Sequence, residues 1–104
     1  MGDQKLVISE NEMGKDTVKI TASGRVDTDS SAILQRKLDE TSKKCKNIIL
    51  NMQQVSFLTS GGIRVLLMFY KILNAKGGSF FIENPSDNVK NVLGMTALEE
   101  LLLK

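Results

Sequence analysis

The segment Phe57 to Leu67, FLTSGGIRVLL, holds the residues whose types and spacing could do chemistry: a serine and two glycines that open directly into a strongly apolar helical pattern. The first turn of a helix leaves backbone amides without intrahelical partners, so Ser60 at the N-cap can accept a hydrogen bond through its side chain while staying near the surface. Gly61 and Gly62 are poor helix formers, each about 1 kcal/mol worse than alanine in an exposed helix interior. They call for another reason. Glycine permits a sharp strand-to-helix turn, and it leaves room for a second backbone or an anionic group to approach the amides. Ser60 therefore reads in two ways, as a cap alone or as a hydroxyl presented at the mouth of a helix.

At 100° per residue, Gly62, Ile63, Val65, Leu66, Phe69, Tyr70, Ile72 and Leu73 fall on one broad side of this helix, which must face the core. The opposite side carries Ser60, Arg64, Leu67, Met68, Lys71 and Ala75. Two long apolar side chains between two cations are unusual on a solvated helix face. The stripe is either covered by a neighbouring segment of the same chain or is a docking surface, with Met68 as an adaptable contact and Arg64 and Lys71 as its polar part.

The elements that must position this helix can be read from the rest of the chain. Leu6 and Ile8, a turn around Gly14, and Val18, Ile20 and Ala22 form a β-hairpin pattern. Thr28 to about Lys44 has helical spacing through Leu34 and Leu38, with Thr28 as a plausible N-cap. Asn47 to Met52, with Ile48, Ile49 and Leu50 in a row, reads as a short central strand buried on both faces. The helix after Ser60 stops near Gly77 and Gly78. Phe80, Phe81 and Ile82 make another buried strand, and Asn84-Pro85-Ser86 turns into a helix with Val89, Val92 and Leu93 inward, ended by Gly94. Thr96 with Glu99 forms a capping box, so Ala97 to Leu103 is expected to be a last short helix. The predicted order is ββαβαβαα, an α/β fold in which a mixed, mainly parallel four-stranded sheet is flanked by helices.

Composition bounds the function. At 104 residues, with 41% hydrophobic and 25% charged residues, residues 1–104 make one ordinary globular domain. A net charge of +2 is no nucleic-acid footprint, and the small cluster Lys43, Lys44 and Lys46 follows Asp39 and Glu40 as on a solvated helix face. No apolar run is long enough to span a bilayer, and MGDQKLVISE lacks the apolar core of a secretory signal, so a cytoplasmic location is expected. The single Cys45 reads as a small buried hydrophobe. With no histidine, Ser-His-Asp and Cys-His systems and histidine-ligated zinc are excluded. The chain is expected to be neither an enzyme nor a cofactor carrier, and to be a monomer or weak dimer.

Gly24-Arg25-Val26-Asp27 before the first helix, FLTSGGIRVLL in the middle and NPSDNVKNVLGMTALEELL at the end closely resemble the STAS domain, and more narrowly the bacterial anti-sigma factor antagonists. The resemblance runs from about Leu6 to Leu103. It implies that Ser60 is the residue phosphorylated by a cognate anti-sigma factor, itself a serine kinase of the histidine-kinase-like ATPase class. The unphosphorylated form of such a protein binds the anti-sigma factor and frees the sigma factor. Asp27 would sit beside Ser60 at the loop end of the sheet, and Thr59, Gly61, Gly62, Arg64, Leu67, Met68 and Lys71 would join it in contacting the partner. The residue before the serine is often aspartate in the best-known members and is Thr59 here, and Asn51 stands where aspartate is common. A hydroxyl residue before the serine and an arginine after the Gly-Ile pair resemble a common subgroup.

Two other readings compete with a phosphorylation switch. One is an accessory STAS subunit that docks on a transporter ATPase or a signalling assembly. The other is a small nucleotide- or ligand-binding domain, which is disfavoured because neither glycine turn, near Asp27 or Ser60, has the Gly-Lys-Ser/Thr end of a P-loop.

Overall fold

The alternation of Val18, Ile20 and Ala22 commits the second strand to one buried face, and the rest of the molecule is assembled on that face. The computed structural model describes residues 6–95 and 98–103. Its elements are β1 (Val7–Gly14), β2 (Thr17–Val26), α1 (Thr28–Ser42), β3 (Asn47–Leu58), α2 (Ser60–Ala75), β4 (Ser79–Glu83), α3 (Asp87–Met95) and α4 (Glu99–Leu102). This is the expected order ββαβαβαα. The sheet order is β1-β2-β3-β4, with β1 antiparallel to β2 and the other pairs parallel.

Fully buried Ile20, Ala22, Ile48, Leu50, Met52 and Phe80 from the strands share one core with Leu34 and Leu38 of α1, Leu66 and Leu73 of α2, and Val89 and Leu93 of α3. The other face is left open by the described residues. Ile49 and Phe81 lie there half-buried and outside the core, so β3 and β4 are covered on one face and not on both. The reason is topological. Right-handed crossovers from β2 to β3 and from β3 to β4 step across the sheet in the same direction, which places α1 and α2 on the same side.

β3 continues six residues past the expected end at Met52. Its register against β2 jumps between Thr21↔Asn51 and Ser23↔Gln54, and again between Gly24↔Val55 and Arg25↔Phe57. These bulges turn the buried positions into Met52, Val55 and Leu58, a spacing of three that hides the strand from a period-two reading. Of β3, the described part of β4 pairs with Asn47 to Asn51, and the edge of β3 beyond them is taken by the start of α3. There the Ser86 amide donates to the Met52 carbonyl (3.2 Å), its hydroxyl to the Val55 carbonyl (2.6 Å), and the Asn88 amide group to the Ser56 carbonyl (2.7 Å).

The helix ends differ from expectation by one or two residues. Asp27 and not Thr28 caps α1, because a carboxylate one position earlier reaches the Ser30 amide, and α1 ends at Ser42. α3 runs through Gly94 to Met95. Thr96 and Ala97, in the expected capping box and start of the last helix, lie outside the described residues; α4 begins at Glu99. Cys45 is buried as expected, its thiol donating to the Thr41 carbonyl at 3.3 Å, and burial pushes that thiol above its ordinary range.

One ion cluster ties β1 to α1. Glu10 faces the amines of Lys37 (2.8 Å) and Lys44 (2.5 Å), and their hydrogen bonds hold its carboxyl at about 2, from an ordinary 4.5. A carboxylate with a depressed folded-state value stabilises the fold above its unfolded value and loses that contribution as pH falls toward the folded one. The stabilising effect of Glu10 is therefore complete above about pH 4.5 and fades toward about pH 2. Glu10→Gln should cost about 1 kcal/mol at pH 7 and flatten the stability curve in that window, as read by urea unfolding across pH. Equal acid sensitivity of the two chains would contradict the assignment.

Candidate functional site

β2 and β3 are parallel neighbours whose final residues, Val26 and Leu58, are register partners. Each strand is followed by a single cap residue and then a helix, Asp27 before α1 and Thr59 before α2. Two helix N-termini therefore open side by side at the carboxyl end of the sheet. The Val26 carbonyl joins them, accepting from the Thr59 amide (3.0 Å) and the Thr59 hydroxyl (3.2 Å).

The two ends are finished differently. At α1 the Ser30 amide donates to the Asp27 carboxylate (2.9 Å), and the Asp27 amide donates to the Ser30 hydroxyl (2.9 Å), a closed capping box. Ser30 therefore holds the Asp27 carboxyl below the usual range, with smaller help from the Asp29 amide and the Arg25 charge. Asp27 stays anionic. At α2 the Thr59 side chain is spent on Val26 and makes no cap hydrogen bond.

Ser60 is therefore not the N-cap but the first helical residue. The chain turns one position earlier because Thr59 is anchored to the end of β2. Ser60 remains exposed, and its hydroxyl makes no hydrogen bond among the described residues. The Ile63 amide donates to the Thr59 carbonyl at 3.0 Å, so the amides left over by the first turn are those of Ser60, Gly61 and Gly62.

The adjacent glycines serve different ends. A methyl group on Gly61 would meet Ser31 Oγ at 3.5 Å and Thr59 Oγ1 at 3.7 Å, which is ordinary contact with the first turn of α1. On Gly62 it would come within 2.6 Å of Leu58 Cδ1 and 2.7 Å of Val26 Cγ1. Gly62 is buried and lets α2 approach the strand ends; it presents no surface to a partner.

Along the outer face, Arg64, Lys71 and Ala75 are exposed as expected and Leu67 is half-buried outside the core contacts. Met68 departs from expectation: it is half-buried and packed against the core. At 100° per residue Met68 falls close to Gly61, on the side that meets α1, so it is drawn inward. Ile72, expected inside, is 36% exposed. The fully buried arc from Val65 to Leu66 is narrow, and Ile72 lies at its edge, as half-buried Ile63 and Tyr70 do at the other.

Asn51 lies elsewhere. Its amide group donates to Glu83 on the open face (3.4 Å), roughly 20 Å along β3 from Leu58. A feature that no periodicity signals is the guanidinium of Arg25, 4.3 Å above the Phe57 ring, beside the site on the face turned away from the helices. The second bulge makes the two register partners, so only pairing across the sheet could have found them.

Residues 10–104 match the family model described as the STAS domain. An anti-sigma F factor antagonist from Paenibacillus polymyxa is 27% identical over 95 residues, covering 89% of this chain and 81% of that protein. Among solved structures, the unphosphorylated form of the anti-sigma factor antagonist SpoIIAA superposes with a TM-score of 0.81 at 23% identity, over 93% of this chain and 86% of that one. The phosphorylated form of the Bacillus cell-fate determinant SpoIIAA gives 0.75 at 22%, over 93% and 89%. The last two likenesses describe the fold alone. No helix among the described residues is long and apolar enough to cross a membrane.

Proposed function

The chain belongs to the STAS domain family, and from that premise we propose that it is an anti-sigma factor antagonist whose binding is switched off by phosphorylation of Ser60. The observation that carries the reading is the exposed Ser60 hydroxyl, without a hydrogen bond among the described residues, at the start of α2, where the Thr59 side chain makes no cap hydrogen bond. The name of the Paenibacillus polymyxa relative supports the same role. The partner is an anti-sigma factor that is also a serine kinase of the histidine-kinase-like ATPase class, and the protein acts as a cytoplasmic binding module without catalysis of its own. The partner surface comprises Asp27, Thr59, Gly61, Arg64, Leu67 and Lys71, with Met68 contributing its outer edge.

The switch needs no rearrangement of the domain. A phosphate adds about −1.5 to −2 charges at pH 7, and at the first turn of a helix it faces free amides and a favourable dipole. A partner surface seated on Ser60 and Leu67 would instead have to strip the hydration shell from a dianion. Unphosphorylated chain binds, and phosphorylated chain dissociates.

Incubation with the cognate anti-sigma kinase and ATP should add one phosphoryl group that peptide mass spectrometry maps to Ser60. Ser60→Ala should abolish the addition while leaving the complex intact in gel filtration. A phosphate on Thr59 or Ser56 would show the residue assignment to be wrong. If the kinases of the source organism leave the chain unmodified, an accessory subunit of a transporter or signalling assembly replaces this reading.

A further inference from the structure

Resting on the reading of Ser60 as a phosphorylation site, we propose that Arg64 is the internal counter-ion of that phosphate, drawn from the partner face to Ser60 when the serine is modified. Arg64 lies one helical turn after Ser60, and both are exposed on the same stripe of α2. Side chains on a helix lean toward its N-terminus, so the guanidinium of Arg64 is carried toward the Ser60 oxygen. An acidic group four residues before a basic one is the better order for such a pair, and a guanidinium matches a phosphate with two parallel hydrogen bonds. Arg64 makes no ion pair or hydrogen bond among the described residues, so no existing partner has to be given up within the domain.

The other charges around the site do not replace it. Asp27 and Asp29, at the start of α1, repel a phosphate, and Asp27 is kept anionic by Ser30. Arg25 is engaged over the Phe57 ring. Lys71 is on the same stripe but about 16 Å further along the axis from Ser60. One modification would thus act twice on the partner surface, adding a dianion and withdrawing a cation.

The test is a phosphorus NMR titration of the full chain carrying genetically encoded phosphoserine at position 60, which needs no kinase. A neighbouring cation favours the dianion, so the second ionisation should lie about half a pH unit lower with Arg64 than in the Arg64→Gln chain. Arg64→Lys should restore part of that shift and Lys71→Gln should leave it in place, with circular dichroism confirming that each chain is folded. Equal titration of the Arg64 and Arg64→Gln chains would overturn the proposal. That result would leave the switch itself standing if phosphorylated chain still fails to bind its partner. An absent kinase would remove the switch without changing the titration.

Discussion

Replacing Phe69 by alanine should cost about 3–5 kcal/mol of stability, the largest loss expected from any single truncation in α2. Phe69 is 1% exposed and is among the largest fully buried side chains. Its removal would leave a cavity between α2 and the sheet that the fully buried Leu66, Leu73 and Phe80 cannot close without moving the helix. The informative comparison is Leu67→Asp, two residues earlier. Leu67 lies outside the core contacts, so that chain should stay folded, yet its complex with the proposed anti-sigma partner should weaken by at least about 1–2 kcal/mol, the scale of a hot-spot residue. Urea unfolding and titration calorimetry separate the two effects. Leu67 takes the place that helical spacing alone would assign to Met68, because Met68 has core contacts and its loss would mix folding with binding. A normal complex with Leu67→Asp would move the partner off this face.

Gly78→Ala should cost about 3 kcal/mol or more, an unusual penalty for a single methyl group between a helix and a strand. A methyl carbon there would lie 1.7 Å from the Lys46 carbonyl oxygen and 2.6 Å from its carbon. Both groups are backbone, and neither can rotate away. The same Lys46 carbonyl accepts the Ser79 amide at 3.0 Å, and the Gly78 amide donates to the Leu73 carbonyl at 2.8 Å. Moving either segment would therefore break the link that delivers the chain from α2 into β4. Gly77, with φ of 82°, is in the left-handed region but has nothing within reach of a side chain. Gly77→Ala should cost only about 1 kcal/mol, from backbone strain alone. If the two variants unfold at the same urea concentration, the crossing at Lys46 is looser than its geometry implies.

Much of the molecule is determined by local pattern. The period of two in β2, the helical spacing of Leu34 and Leu38, and the run from Gly62 through Phe69 to Leu73 depend on which face of an element is apolar, a property of neighbours in the chain. The order ββαβαβαα and the prominence of Ser60 at a strand-to-helix junction were legible for that reason. The open face of the sheet was not, because a run such as Ile48, Ile49 and Leu50 looks the same whether one face is covered or two; the common direction of the crossovers decides it. Nor was the far half of β3, where bulges against β2 replace the period of two by a spacing of three. At the site, tertiary contacts made the last decisions. The Val26 carbonyl captures Thr59, which shifts the cap by one residue and leaves the Ser60 hydroxyl without a hydrogen bond among the described residues. The first turn of α1 lies against Gly61, and contact with the core draws in Met68. Sequence alone determined that a hydroxyl would stand at the start of this helix; packing against the end of β2 decided which atoms around it are bound and which remain available.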